Sequence, residues 1–310
     1  MPATRRTILK GLMASAAMGA TAGAMTGAAS AQPAPAPLTR TIPATGEAIP
    51  AVGLGTWITF NVGDDPVLRD ECAAVMEAFF AGGGAMIDSS PMYGSSQAVT
   101  GYGLARLGQP AALFSAEKVW ISSPAAGPAQ MEESRRRWGV PRFDLMQVHN
   151  LLSWEAHLDT LAAMKAEGRI RYTGITTSEG RRHDLFERVM DTRRPDFIQI
   201  TYNPVDREAE DRILPLAAER GIAVIVNRPF RQGELTRRLG PRPLLDWAAE
   251  VGAVSWAQLI LKHILAHPAV TVAIPATTRV DHVRENLAAA SGPLPDAALR
   301  RRIADHIASL

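Results

Sequence analysis

The chain has one cysteine, Cys72, among 310 residues. An intramolecular disulfide is therefore impossible, and the fold must hold by packing even in an oxidising compartment. Cys72 falls in the apolar pattern DECAAVMEAFF, which points to a buried structural thiol rather than a nucleophile. An excess of charge of one sign is also missing, since 33 Lys and Arg stand against 31 Asp and Glu. Without a basic excess, nucleic-acid binding has no electrostatic motive. There is no repeat array, low-complexity tract or second domain signal. The one long run of small and apolar residues, near the N-terminus, is too weakly apolar for a membrane-spanning helix, which needs roughly 20 strongly apolar residues. No stable span is expected in the mature chain.

That N-terminal run reads as an address. It carries Arg5-Arg6 ahead of GLMASAAMGATAGAMTGAASA and closes on Ala29-Ser30-Ala31, small residues that a signal peptidase accepts. Residues 1–31 are expected to be a twin-arginine signal peptide, handing the protein to the twin-arginine export machinery and placing it in the periplasm or otherwise outside the cytoplasm. An ordinary secretory signal or an N-terminal anchor is the plainer alternative. Cleavage would remove Arg5, Arg6 and Lys10 and bring the net charge from +2 to about −1. Residues 32–40, beginning QPAPAP, read as a Pro-rich linker, and residues 41–310 as the folded domain.

From Val52 onward, strand-like and helix-like patterns alternate, eight of each. This is the signature of a parallel sheet wrapped in helices, and the length suits one (β/α)8 TIM barrel, a fold that takes about 250 residues. Thr45-Gly46 marks a hairpin that would close the barrel floor, and DAALRRRIADHIASL a C-terminal helix. The expected first helix runs from Pro66 to Ala81, with proline at its start and Gly82-Gly83-Gly84 at its end. After strand seven comes RPFRQGELTRRLGPRP, too long and too basic for a plain connector.

Chemistry gathers at the carboxyl ends of three consecutive strands, which share one mouth in such a barrel. AMIDSSPMYGSS sets Asp88 at a strand end and Tyr93 just beyond it; FSAEKVW supplies Lys118 and DLMQVHN supplies His149. Singly, each has a plain structural reading: a cap, half-buried packing, a solvated charge, a core histidine. Jointly they suit proton transfer to a carbonyl. An ammonium between carboxylate and phenol lowers the phenol's pKa, and a neutral imidazole can hold the carbonyl oxygen. None of the four is an electron source, so a hydride must come from a nicotinamide cofactor.

These motifs, together with GLGTW at 53–57 and IPATTRVDHVREN at 274–286, resemble the aldo-keto reductase family from about Val52 to Ala290. The resemblance implies NADPH-dependent reduction of an aldehyde or ketone, with Tyr93 as proton donor, Lys118 and Asp88 tuning it, and His149 positioning a small-molecule carbonyl substrate. It implies cofactor binding without a Rossmann fold, and GYGLARLG at 101–108 indeed has Arg106 where the third glycine of that fingerprint would stand. Carried over by position, Gly55, Thr56 and Trp57 lie beside the cofactor and substrate. Thr176 and Thr177 replace the usual Ser-Asn pair at the nicotinamide amide, whose other side Gln199 would hold. Asn227 stands where many members stack an aromatic ring, followed by Arg228 and Pro229.

On strand eight, the resemblance gives Glu285 and Asn286 to the adenine side, and Thr277, Thr278 and Arg279 to a ribose 2′-phosphate. Ala276 and His282 stand where a lysine and an arginine are common. A 2′-phosphate wants a fixed cation, so NADPH is favoured with Arg279 as the cation, NADH remaining open. In the basic loop, Arg228 or Arg231 is expected to belt the pyrophosphate and Arg237, Arg238 and Arg242 to be solvated. Trp57, Trp120, Trp154 and Phe230 are the expected substrate pocket. His263 and His267 sit one helical turn apart but away from the mouth, so no metal is expected. The altered Thr176-Thr177 pair and Asn227 leave a non-catalytic barrel, binding a small ligand or a partner protein, as the alternative.

Overall fold

The computed structural model describes residues 37–310. The expected signal peptide and the first part of the expected linker lie outside the described residues. The described chain opens on a hairpin, in which β1 (Thr39–Thr41) pairs antiparallel with β2 (Ala48–Pro50), Arg40 opposite Ile49. Thr39 and Arg40, expected in the linker, are therefore strand. Backbone bonds from Leu38 N to Ala290 O at 2.8 Å and from Ala51 N to Leu38 O at 2.9 Å fasten this segment to the domain. Gly46 makes the turn possible with φ +79°.

Strands and helices then alternate as β3 (Leu54–Gly55), α1 (Pro66–Ala81), β4 (Met86–Asp88), α2 (Ser96–Arg106), β5 (Phe114–Val119) and α3 (Gly127–Trp138). They continue as β6 (Phe143–Val148), α4 (Trp154–Ala166), β7 (Ile170–Thr176), α5 (His183–Arg193), β8 (Phe197–Thr201) and α6 (Ile213–Arg220). The last elements are β9 (Ala223–Asn227), α7 (Glu234–Leu239), α8 (Trp256–Leu265), β10 (Val272–Ala273), α9 (Val280–Ala288) and α10 (Ala297–Ser309). Strands β3 to β10 form one 8-stranded parallel sheet in chain order. Parallel bridges from Val52 to Ala273 and from Gly55 to Ala276 close it. This is the (β/α)8 barrel, with its hairpin and its C-terminal helix.

Local chemistry sets the element ends. Asp65 caps α1 by accepting from Val67 N and Leu68 N, with Pro66 where a helix needs no N–H. Helix α6 begins at Ile213, later than the pattern AEDRILPLAAERG suggests, because Pro215 is tolerated only in a first turn. β10 is two residues long where VTVAIP suggests six, since Pro275 has no N–H for the ladder. The basic loop contains α7, and the short helix expected around residues 244–252 is a 3-10 turn, Asp246–Val251.

The period of two along each strand divides the molecule into an inner and an outer core. The outer core packs helices on the sheet, with Trp138, Phe143 and Phe186 among its large members. Inside the barrel, Phe114, Leu145, Tyr172, Phe197 and Ile225 pack with Ile42 and Ile49 of the hairpin, which thus plugs the floor. Tyr172 meets Phe197 edge-on at 5.4 Å between ring centroids. Each such side chain contributes about 1.5–3 kcal/mol on burial. One repeat nearer the mouth, the inward positions turn polar: Asp88, Lys118, Gln147 and Gln199, all buried.

Candidate active site

Asp88 ends β4, and the turn after it carries Tyr93 back over the strand ends. Tyr93 N donates to Ser90 O at 3.0 Å, while Ser96 donates to Tyr93 O from N at 3.1 Å and from Oγ at 2.8 Å. The turn needs Gly94, whose φ is +60° and whose missing Cβ would stand 2.2 Å from Asn61 Oδ1.

Lys118, fully buried on β5, places its ammonium on Asp88 Oδ1 and donates to Ser89 O at 2.7 Å. The other carboxylate oxygen of Asp88 accepts from Gln147 Nε2 at 3.0 Å and Gln199 Nε2 at 2.9 Å. The same ammonium lies 5.0 Å from the centre of the Tyr93 ring. Two adjacent strands, β4 with the turn after it and β5, thus bring acid, phenol and cation together. The phenol, however, is not lowered: burial raises Tyr93 above its ordinary value, outweighing the charge of Lys118, which pulls it down. Tyr93 therefore stays protonated, and the ammonium acts by stabilising the phenolate as it forms. Lys118 is itself held above its ordinary range, because Asp88 and Tyr93 more than offset the desolvation that would lower it.

His149 ends β6, its ring edge-on to Tyr93 with centroids 5.7 Å apart. Burial, and secondarily the Lys118 charge, push its pKa down to about 2, so the imidazole is neutral. Its Nδ1 lies 2.8 Å from Ser90 Oγ. Asp88, Tyr93 and His149 open into one cavity of about 300 Å³, also lined by Gly55, Thr56, Trp57, Thr176, Thr177, Gln199, Asn227, Arg228, Pro229 and Phe230.

The rim differs from expectation in several places. Thr177 donates its hydroxyl proton to Arg181 O at 2.7 Å, and Thr176 Oγ1 accepts from Asn150 N at 3.0 Å, so only Thr176 keeps a free hydroxyl proton. Gln199 turns its amide N–H to Asp88, leaving its carbonyl oxygen toward Asn227. Asn227 is bonded to Thr177 O at 2.9 Å and to Thr201 Oγ1 at 2.6 Å. Trp154 does not line the cavity; it packs on the outer core with Arg193 5.7 Å from its ring. Trp120 does not line the cavity either; it is 39% exposed, with its ring 6.5 Å from that of His149.

A second cavity adjoins the first, sharing Phe230, Gly233 and Ala276, and is lined by Thr277, Glu285, Asn286, Arg237, Arg242 and His282. Arg279 and Thr278 do not line it. Arg279 instead pairs with Asp281, both largely exposed, since Arg279, the extended residue just before α9, and Asp281 in its first turn sit close enough to form a two-point ion pair. In the basic loop, Arg228 lines the first cavity, and Arg237 and Arg242 are exposed as expected. Arg228 pairs with Glu179, and Arg231 with Asp206 at 3.1 Å and Glu234 at 3.3 Å. Arg237 and Arg242, both exposed, border the cavity; Arg237 donates to Gln232 O at 3.4 Å and Arg242 to Leu310 O at 3.3 Å. The two joined cavities, one with polar groups at its strand end and one bordered by two exposed guanidinium groups that have no side-chain carboxylate partner among the described residues, fit an elongated ligand with a phosphate at its far end. Among the described residues no group of three or more His, Cys, Asp or Glu is placed to hold a metal. His263 lies tilted against Tyr202, with ring centroids 5.9 Å apart, and Tyr202 bonds Glu210 and Arg300, a network that fastens α10.

Residues 51–302 match the model of the aldo/keto reductase family. The chain belongs to that family. It is accordingly a carbonyl-reducing oxidoreductase dependent on NAD(P)H. It is 28% identical to the methylglyoxal reductase YeaE of Escherichia coli over 257 residues, covering 81% of this chain and 89% of that one. The NADH-specific methylglyoxal reductase of E. coli is 24% identical over 308 residues, covering 79% and 91%. In three dimensions the chain resembles an aldo/keto reductase from Klebsiella pneumoniae solved with NADP and acetate, with TM-score 0.71, 26% identity and coverage of 83% of this chain and 92% of that one.

Sequence reasoning missed two features of this aldo/keto reductase. Ser90 was visible in IDSSPMYG, but only the turn geometry puts it on His149. Glu117, beside Lys118 in sequence, points outward into the helix layer, where Gln97 Nε2 donates to it at 3.0 Å, Trp138 Nε1 at 2.8 Å and Lys118 N at 2.8 Å. Burial pushes its carboxyl from an ordinary 4.5 up to about 7, against the pull of the Lys118 charge and of the Gln97 hydrogen bond. Because the folded state holds this proton more tightly than the unfolded chain, the effect favours folding below 4.5 and is lost as pH rises toward 7. The loss is on the order of 3 kcal/mol. Urea denaturation across that range should show the wild type losing more stability than Glu117→Gln; parallel curves would remove Glu117 from the account.

Proposed function

We propose that this aldo/keto reductase reduces an aldehyde or ketone to an alcohol with NADPH, Tyr93 giving the proton. The observation that carries this is the single cavity into which Tyr93 and His149 both open, with the Lys118–Asp88 pair behind the phenol. A nicotinamide held beside Thr176, Gln199 and Asn227 would supply the hydride that the carbonyl carbon needs. His149, neutral, offers an N–H to the carbonyl oxygen and orients it toward the phenol. Tyr93 transfers its proton to that oxygen as negative charge develops there, and Lys118 stabilises the phenolate left behind. Asp88 and its two glutamine donors hold Lys118 charged and in place. Trp57, Met92 and Phe230 give the carbonyl's substituents apolar walls. Loss of NADPH absorbance on adding small aldehydes and ketones to the protein tests the proposal; no turnover on any carbonyl would defeat it.

The preference for NADPH rests on the second cavity. Relatives point both ways, one NADH-specific and one crystallised with NADP, so the local cations must decide. Arg237 and Arg242 supply there what Arg279, tied to Asp281, does not. A charge-assisted hydrogen bond to a phosphate is worth about 1.5–3 kcal/mol. Arg237→Ala should therefore raise the Kd for NADPH by roughly tenfold or more and leave that for NADH nearly unchanged. Arg279→Ala should change neither. Fluorescence titration of the free protein reads both constants, and a selective loss in Arg279→Ala would return the role to that residue. The proposal retains the expected domain plan and localisation: a chain with residues 1–31 as a twin-arginine signal is exported folded, with its nucleotide already bound.

A further inference from the structure

We infer that Ser90 is a positioning residue for the reaction: its hydroxyl holds the His149 ring in the tautomer whose Nε2 carries the proton and faces the cavity. The inference rests on the proposed reduction only for its kinetic consequence. Its structural part stands on a count of donors and acceptors.

Ser90 is fully buried. Its Oγ accepts from Met92 N at 3.2 Å and lies 2.8 Å from His149 Nδ1, and it makes no other hydrogen bond among the described residues. Two arrangements satisfy the short contact. If the serine hydroxyl donates to Nδ1, the hydroxyl has both a donor's and an acceptor's work, Nδ1 is paired, and the ring's one proton must sit on Nε2. If instead Nδ1–H donates to the serine, the oxygen receives two N–H groups and its own proton has no acceptor in a buried site. Only the first arrangement pairs every group. His149 Nε2 has no protein partner, is not among the buried unpaired atoms and belongs to a residue lining the cavity. In the first arrangement it presents an N–H to a carbonyl oxygen. In the second it would present a lone pair, which repels that oxygen.

The same serine accepts from Met92 N, next to Tyr93, so one side chain sets both the phenol's turn and the imidazole's proton. A ring flip is further restrained by the edge-on contact with Tyr93.

The test uses the full chain with its histidines labelled with nitrogen-15, His149 being assigned by the signal that disappears in His149→Gln. The wild-type ring is expected to show a protonated Nε2 and an unprotonated Nδ1 near neutral pH. In Ser90→Ala the tautomers should mix or invert, and kcat should fall by about 10- to 100-fold, by analogy with the loss of a partner that orients a metal-bound imidazole. The Kd for NADPH should hold. Ser90→Thr, which keeps the hydroxyl, should restore both the tautomer and most of kcat. A purely structural serine would disturb the turn without moving the tautomer signal. A protonated Nδ1 in the wild type, or an unchanged tautomer in Ser90→Ala, would overturn the inference. If no carbonyl is reduced, the proposed reaction fails on its own, and the nitrogen signals still decide the role of Ser90.

Discussion

Tyr93→Phe is expected to lower kcat by roughly 10²–10⁴, the usual contribution of a positioned general acid, while the Kd for NADPH stays near the wild-type value. Phenylalanine keeps the ring, and with it the edge-on contact with His149, and removes only the oxygen that gives up the proton. The pH dependence supports the same assignment. Tyr93 is held above its ordinary value by burial and His149 is pushed down to about 2 by burial and the nearby ammonium, so neither group changes protonation around neutrality. Carbonyl reduction should therefore show no limb near the ordinary histidine pKa of about 6.5 and should keep its acid well into the alkaline range. Steady-state rates across pH, with cofactor saturating, check this. A Tyr93→Phe enzyme that retained most of its kcat would move the proton transfer to another group.

The order of elements was readable because parallel barrels repeat one grammar, and local signals punctuated it. Pro66 and the glycines after Ala81 bound α1 at the residues the pattern indicated. Asp88, Tyr93, Lys118 and His149 were readable for a different reason: strand ends converge by topology, so sequence position alone implies a shared mouth. What was not readable depends on which way side chains pair once they arrive. Arg279 reads as a free cation, but Asp281, in the helical turn that Arg279 precedes, pairs with it. Arg237 is exposed, as its sequence suggests, but α7, too short to register as a periodic pattern, also sets it at the edge of the second cavity. Trp154 follows a barrel strand in sequence yet begins α4, and the helix faces it outward. A spacing shows the phenol's charged neighbour but not its depth of burial, which is the larger influence on Tyr93.

Lys118→Met should produce the second large effect, on stability and activity together, and the two can be separated. Lys118 and Asp88 are 0% and 2% exposed, so neither can turn to solvent when its partner is lost. Methionine would leave the Asp88 carboxylate with only the amides of Gln147 and Gln199, and breaking a buried pair in this way costs about 3–5 kcal/mol. Asp88→Asn should destabilise similarly, leaving the ammonium with the Ser89 carbonyl. Replacing both partners removes both charges, so Asp88→Asn with Lys118→Met should recover much of the stability that either single change loses. Activity should not return with it, because no cation remains to stabilise the phenolate. Urea midpoints give the double-mutant cycle and kcat gives its kinetic counterpart. Stability recovered without turnover means that the pair is retained for proton transfer and that packing alone could have filled its place. Turnover recovered with stability would mean that the ammonium only held the fold, and the account of Tyr93 as an assisted acid would have to be abandoned.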